Sequence, residues 1–368
     1  MKLKDLKKQP KISLKPIEIF NENTLQITNF QHGEYYKFLV NPGDNIMVYS
    51  PILEGKKGQK ILSPISGKVK NIENLENYNG EVFSTLILEN DFKSLSLCPQ
   101  KVKISNKDEL VKICKDFGII NHQMPVCNFF DNISETLIIS AFEEKRVFNY
   151  KSIYLFEESK IDKIILKLKE ILNLKNIQII VNKTDKIMFN YLNGKYKVLV
   201  QNQKPLSYIN IEDLLNLYNA LFENKPQIIK YISVCGGALK SNAVIKSYLG
   251  VSLESIVEKL GDFKENIEEI KDYKELAKAS VYDKYVAKQN MKKAKGEDRE
   301  KLKKEYIDIS NKSKLVIKQV NKYYVKYLNC FAGLTFNGKK EDFQENYKNL
   351  HLQSDVFAVH FLNNFEIK

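Results

Sequence analysis

A cysteine–histidine nucleophile needs a thiol whose pKa is lowered by a neighbouring imidazole. In this sequence Cys127 lies five positions after His122, and no other cysteine stands so near a histidine. The competing reading of Cys127 is a buried structural thiol. His32, His351 and His360 are too dispersed to suggest a metal site. His360 alternates with Val359 and Phe361 in a β-type run, which predicts a side chain facing solvent or a neighbouring strand. The five cysteines, Cys98, Cys114, Cys127, Cys235 and Cys330, stand at least 13 residues apart. With no CxxC, zinc ribbons and locally ligated clusters are excluded, and reduced thiols in a cytoplasm are expected. Gly236-Gly237 has the composition of a phosphate loop, but it turns a hairpin and lacks the Walker lysine arrangement.

The elements that would position these residues change in kind along the chain. The first fifteen residues hold six lysines against one aspartate and read as a solvated arm, assigned to residues 1–30. Over 31–98 short β-type runs are broken by turns, among them Pro42-Gly43-Asp44, Glu54-Gly55-Lys56-Lys57-Gly58 and Ser66-Gly67, which predicts a compact all-β module. Residues 99–226 alternate helices (108–117, 162–172, 213–223) with the strands TLIIS, IQIIV and KVLVQ, the pattern of an α/β domain. Residues 227–263 give a hairpin and a Ser252-capped helix, and 329–368 give two further β runs. Between them, 264–328 has no proline and one glycine, and reads as a helical hairpin turning at 295–298.

The 368 residues carry a formal charge of +13, almost all of it lysine, since Arg146 and Arg299 are the only arginines. Phosphate and base recognition usually recruits arginine, so nucleic acid is not the expected partner class. No run approaches the roughly 18–20 apolar residues of a membrane span, and no apolar h-region follows the first lysines.

The stretch 42–69, PGDNIMVYSPILEGKKGQKILSPISGKV, resembles the barrel-sandwich modules of biotinyl and lipoyl carriers, in which a hairpin-tip lysine takes the cofactor. Lys56 sits about where that lysine would, without a flanking methionine; an exposed loop lysine is the plainer reading. Then come the helix ending at Gly118-Ile119, TLIIS with Glu143-Glu144, KVLVQN, and LYNALFENKPQIIKYISVCGGALKSNAVIKSYLGVSLESIVEKLG. With GLTFNG and LQSDVFAVHFL near the end, this order resembles the C subunit of the Rnf electron-transport complex. More distantly it is similar to the A subunit of the sodium-pumping NADH:quinone reductase and to the flavoprotein subunit of respiratory complex I. The resemblance implies an α+β protein: a barrel-sandwich hybrid module, an α/β domain like the complex I flavoprotein subunit, and a β-grasp (SLBB-like) domain interrupted by a helical hairpin. It also implies an NADH-oxidising peripheral subunit with a flavin, feeding iron–sulfur clusters and a membrane-bound partner.

The residues for that chemistry are where the sequence departs. The family's glycine-rich loop corresponds here to GIINHQMP, which keeps Gly118 and Pro125 and places His122 between them. The acidic motif keeps Glu143 and Glu144, which could bond ribose hydroxyls or stay a solvated pair beside Lys145 and Arg146. The cluster domain has no counterpart, so no iron–sulfur cluster is expected. Two functions follow: a scaffold or docking subunit that has lost cofactor chemistry and is not catalytic alone, or an electron-transfer subunit that still binds FMN or NADH. The expected partners are proteins, a membrane-bound complex among them, with peripheral contact to the inner face of the cell membrane. In the helical insertion, Tyr306, Ile309, Val316, Val320, Tyr323 and Tyr327 form one stripe, which either packs on Leu276, Val281 and Tyr285 or binds a partner.

Overall fold

The computed structural model describes residues 12–76, 81–97, 99, 103–121, 124–131, 133, 135–143, 147–203, 205, 207–263, 273–326, 334–337, 350–351, 353, 356 and 358–362. The chain forms a mixed α+β protein. Its first strands are β1 (Ser13–Ile19), β2 (Thr24–Thr28), β3 (Phe30–Gln31), β4 (Glu34–Tyr35), β5 (Lys37–Phe38), β6 (Asn45–Ile46), β7 (Pro51–Glu54), β8 (Lys60–Leu62), β9 (Gly67–Glu76) and β10 (Val82–Asn90). A four-stranded sheet runs β2-β10-β9-β6, and a three-stranded one runs β5-β7-β8. The β7–β8 hairpin carries Lys56 at its exposed tip. Gly67 begins β9 at φ +145°, where a Cβ would meet the Glu89 carbonyl oxygen at 1.9 Å, so only glycine allows this close approach.

The α/β region comprises α1 (Lys107–Asp116), α2 (Val126–Asp131), β11 (Thr136–Ser140), α3 (Asn149–Ile171), β12 (Asn176–Asn182), α4 (Lys186–Leu192), β13 (Lys197–Gln201), β14 (Ile209–Asn210) and α5 (Ile211–Glu223). Its sheet is wholly parallel in the order β13-β12-β11-β14. Two-sided burial explains the near-continuous apolar runs TLIIS and IQIIV, which helices cover. The amphipathic face anticipated for the first helix is present, with Leu110, Ile113, Cys114 and Phe117 all buried. The third helix begins well before the expected position 162, at Asn149, and bends at Glu157.

The remaining sheet is mixed: β15 (Ile229–Cys235), β16 (Ala243–Tyr248), β17 (Leu334–Asn337) and β18 (Ala358–Leu362) join β1 in the order β1-β16-β15-β18-β17, with α6 (Leu253–Lys259) beside it. Two corrections follow. Ser13–Ile19 and Thr24–Thr28 are strands within sheets, not parts of an arm running to residue 30. In SLKPIEI, lysine and glutamate fall on exposed positions while Ile19 is buried, so charge density obscured a strand. The β-rich module and the mixed sheet also share one core, in which Leu25, Ile52 and Leu86 pack in the same cluster as Ile232, Val234 and Ile256.

The insertion is a helical hairpin of α7 (Tyr273–Lys293) and α8 (Gly296–Lys326), turning where expected, with Gly296 at φ +62°. The seam differs from the expected one. Ser280, Ala287 and Met291 face α8 half-buried, opposite Tyr306, Ile309, Ser313 and Val316, whereas Val281 and Tyr285 point outward. Val320 and Tyr323 belong to α8, but their side chains, like Leu276, lie outside the described residues, as does all of Tyr327.

Candidate functional site

In an open parallel sheet, ligands bind outside the carboxyl ends of the strands where the strand order reverses. Here β11 leads through α3 to β12 on one side, while β14 pairs with β11 on the other, so the reversal falls between β11 and β14. Both Ser140, ending β11, and Asn210, ending β14, are buried.

Asn210 opens α5 with a capping box. Its side chain accepts from the Asp213 N–H at 2.9 Å, and Asp213 Oδ2 accepts from the Asn210 N–H at 2.8 Å. The same oxygen accepts from Asn121 Nδ2 at 3.1 Å, while Asp213 Oδ1 is buried without a hydrogen-bond partner. Burial pushes the Asp213 carboxyl up to about 7, against the lowering effect of the Asn210 and Asn121 hydrogen bonds. Beside it, burial raises Glu212, which faces Lys230 and accepts from the Tyr231 N–H at 3.2 Å.

The carboxyl ends of β11 and β12 carry a second buried constellation. Glu143 accepts from the Tyr150 N–H in the first turn of α3 and pairs with Lys151 Nζ at 3.3 Å. Lys151 also reaches Asp185 at 2.5 Å, and Asp185 caps α4 by accepting from the Met188 N–H at 3.1 Å. Burial pushes Glu143 up to about 7, with Lys151 opposing and Asp185 reinforcing the rise. The expectation of a solvated Glu143 is thus corrected: its charge is taken by Lys151, an internal lysine. Glu144, Lys145 and Arg146 lie outside the described residues.

The segment that would have to cradle a flavin or nicotinamide phosphate runs from Gly118 to Val126. Such a cradle needs backbone N–H groups left unpaired and free of side chains. Among the described residues of this segment the donors are taken. Gly118 N–H donates to Lys115 O, Ile119 to Cys114 O, Ile120 to Gln227 Oε1, Asn121 to Met124 O, Met124 to Asn121 Oδ1 and Val126 to Ile119 O, at 2.7–3.3 Å. Gly118 sits at φ +63°, and a Cβ there would meet the Lys60 carbonyl at 2.7 Å, so its glycine serves the contact with β8. Ile119, Ile120, Asn121 and Pro125 are buried. His122 and Gln123 lie outside the described residues. The described residues of this loop therefore leave no backbone donor free for a phosphate.

Other candidates resolve structurally. Cys127 is buried in the α/β core and burial raises its thiol pKa, the opposite of nucleophile activation. His360 is fully buried on β18, its Nδ1 3.0 Å from Cys235 Sγ on β15, which corrects the solvent-facing expectation while keeping the neighbouring-strand one. No group of three or more metal-ligating side chains occurs among the described residues. Sequence reading missed Asn121, Asp213, Lys151 and Asp185. The Asn210-Ile-Glu-Asp213 spacing is a capping-box signal, but nothing local links Asp213 to Asn121, 92 residues away.

No family model matches the chain, and no curated protein matches it. Among solved structures it is similar to an NAD+-reducing [NiFe]-hydrogenase in the air-oxidized state, at 9% identity and a TM-score of 0.34. The same kind of enzyme in the H2-reduced state matches at 10% identity and a TM-score of 0.35. Each match covers 42% of this chain and 39% of the hydrogenase chain, so the likeness spans well under half of either. No helix among the described residues is long and apolar enough to cross a membrane.

Proposed function

We propose that this chain is a peripheral, non-catalytic subunit of a larger assembly, with the architecture of the Rnf C subunit and a nucleotide crevice filled by its own side chains. In this reading the β-rich module is a barrel-sandwich hybrid. The parallel-sheet region is a flavoprotein-type domain, and the mixed sheet is a β-grasp of SLBB type split by α7 and α8. The observation that supports the proposal is that the described donors between Gly118 and Val126 are all paired within the chain, together with Asn121 seated on Asp213. A pocket built to hold phosphate keeps donors waiting; the described donors of this one are spent internally. The protein then serves as a docking or scaffold subunit for protein partners.

A second reading, an electron-transfer subunit that binds FMN or NADH, draws on one atom. Asp213 Oδ1 is buried without a partner, and a ribose hydroxyl would satisfy it if Asn121 moved away.

One experiment separates them. The protein is purified without added cofactor, its absorbance spectrum is recorded, and it is titrated with FMN and then NADH. The docking reading expects a colourless protein that binds neither. A flavin band near 450 nm, roughly the chromophore's own absorption, bleached by NADH, overturns it.

A further inference from the structure

The first turn of α3 is where the parallel-sheet region is tied to the mixed sheet. Phe148 N–H donates to Ser233 Oγ at 2.7 Å, and Ser233 Oγ donates to Asn149 Oδ1 at 2.8 Å. Ser152 Oγ donates to the Leu14 carbonyl at 2.6 Å. Ser233 belongs to β15 and Leu14 to β1. Between these ties sit Tyr150 and Lys151, and both are held by Glu143, which follows β11. One short turn therefore carries the contacts of both regions.

Lys151 is a single ammonium between two carboxylates. All three groups are deeply buried, with Glu143 4%, Lys151 9% and Asp185 8% exposed. Glu143 Oε2 and Asp185 Oδ2 face the ammonium and accept no other bond. The Phe148 ring covers Lys151 Nζ at 5.0 Å. Tyr150 is the other titratable neighbour of Glu143, and it in turn faces Asp213, Tyr208 and Glu212. Two buried negative charges against one positive leave one uncompensated, and a buried site relieves that by taking up a proton. Asp185 has the nearer ammonium, 2.5 Å against 3.3 Å, and also the Met188 N–H of α4. Glu143 is the member that a proton serves better.

We propose that the first turn of α3 is a pH-sensitive joint, in which Glu143 carries a proton while the two regions are locked and loosens the turn when it ionises. Burial pushes Glu143 up to about 7, with Lys151 opposing and Asp185 reinforcing the rise. In an opened turn the carboxyl meets water and titrates near its ordinary 4.5. The locked form is thus fully favoured below that value and loses its advantage as pH rises through about 7. The joint works the same way whether or not the crevice holds a cofactor.

The test is hydrogen exchange of the full chain, read by mass spectrometry on peptides spanning 147–154, with intrinsic rates divided out and α6 as reference. Opening of the turn should rise at least about tenfold from about pH 5 to 8, while α6 stays level. Glu143→Gln keeps an acceptor for the Tyr150 N–H and cannot ionise, so its turn should exchange slowly at every pH. Lys151→Met removes the opposing ammonium and should move the midpoint to higher pH, which a turn with a merely structural role would not do. A turn whose opening is independent of pH in the unaltered chain overturns the inference. So does a rise that Glu143→Gln retains, which assigns the titration to Asp213 across Tyr150. Should Lys151→Met fail to fold, the unaltered chain against Glu143→Gln decides alone.

Discussion

Asp213 holds a position where a carboxylate is costly and still present. Its folded pKa of about 7 lies above the usual value near 3.8. Folding therefore takes up a proton between those limits, and the stability it contributes is full at low pH and lost as pH rises through about 7. The groups facing it are Asn121, Asn210, Glu212, Lys230 and Tyr150. Asp213→Asn should flatten part of the decline in melting temperature between about pH 4 and 7; an unchanged slope would place the titration elsewhere. Glu143 is raised in the same direction and remains in that variant, so some slope should persist. At Gly118 the expectation is steric. Gly118→Ala combines left-handed strain with a contact on Lys60 O, and should lower unfolding free energy by about 2 kcal/mol or more in denaturant titration.

At the scale of elements, what a sequence shows depends on how local its cause is. KVLVQ at 197–201 is a strand with the expected bounds, because alternation and flanking turns are both local. The α7–α8 turn is legible for the same reason, a glycine within a charged tetrad. Ser13–Ile19 is not, since its identity as a strand depends on β16, more than 220 residues later, and its own composition mimics a solvated arm. The crevice is likewise illegible. Asn121 reads as a loop residue until the fold carries it to Asp213. Of the α7 residues expected against α8, Val281 and Tyr285 instead point outward, because the small residues Ser280 and Ala287 form the seam. Excising residues 1–19 should lower the melting temperature by several degrees and promote aggregation through the bared edge of β16. Light scattering on heating would check it.

For the whole molecule, α7 and α8 form a unit whose described packing is with each other. Replacing 264–328 by a short glycine–serine linker should leave the main melting transition within a few degrees of its original position. Loss of the main transition instead would show that the hairpin supports the body. The mixed sheet has a different dependence on the chain. β1 lies at one side of it against β16, and β18, which follows the whole insertion, lies against β15. During synthesis the hairpin β15–β16 therefore emerges with one neighbour already made and the other still about a hundred residues from the exit. The β15 edge can be covered only once β18 clears the ribosome, and until then it is the edge a nascent-chain chaperone would have most to shield.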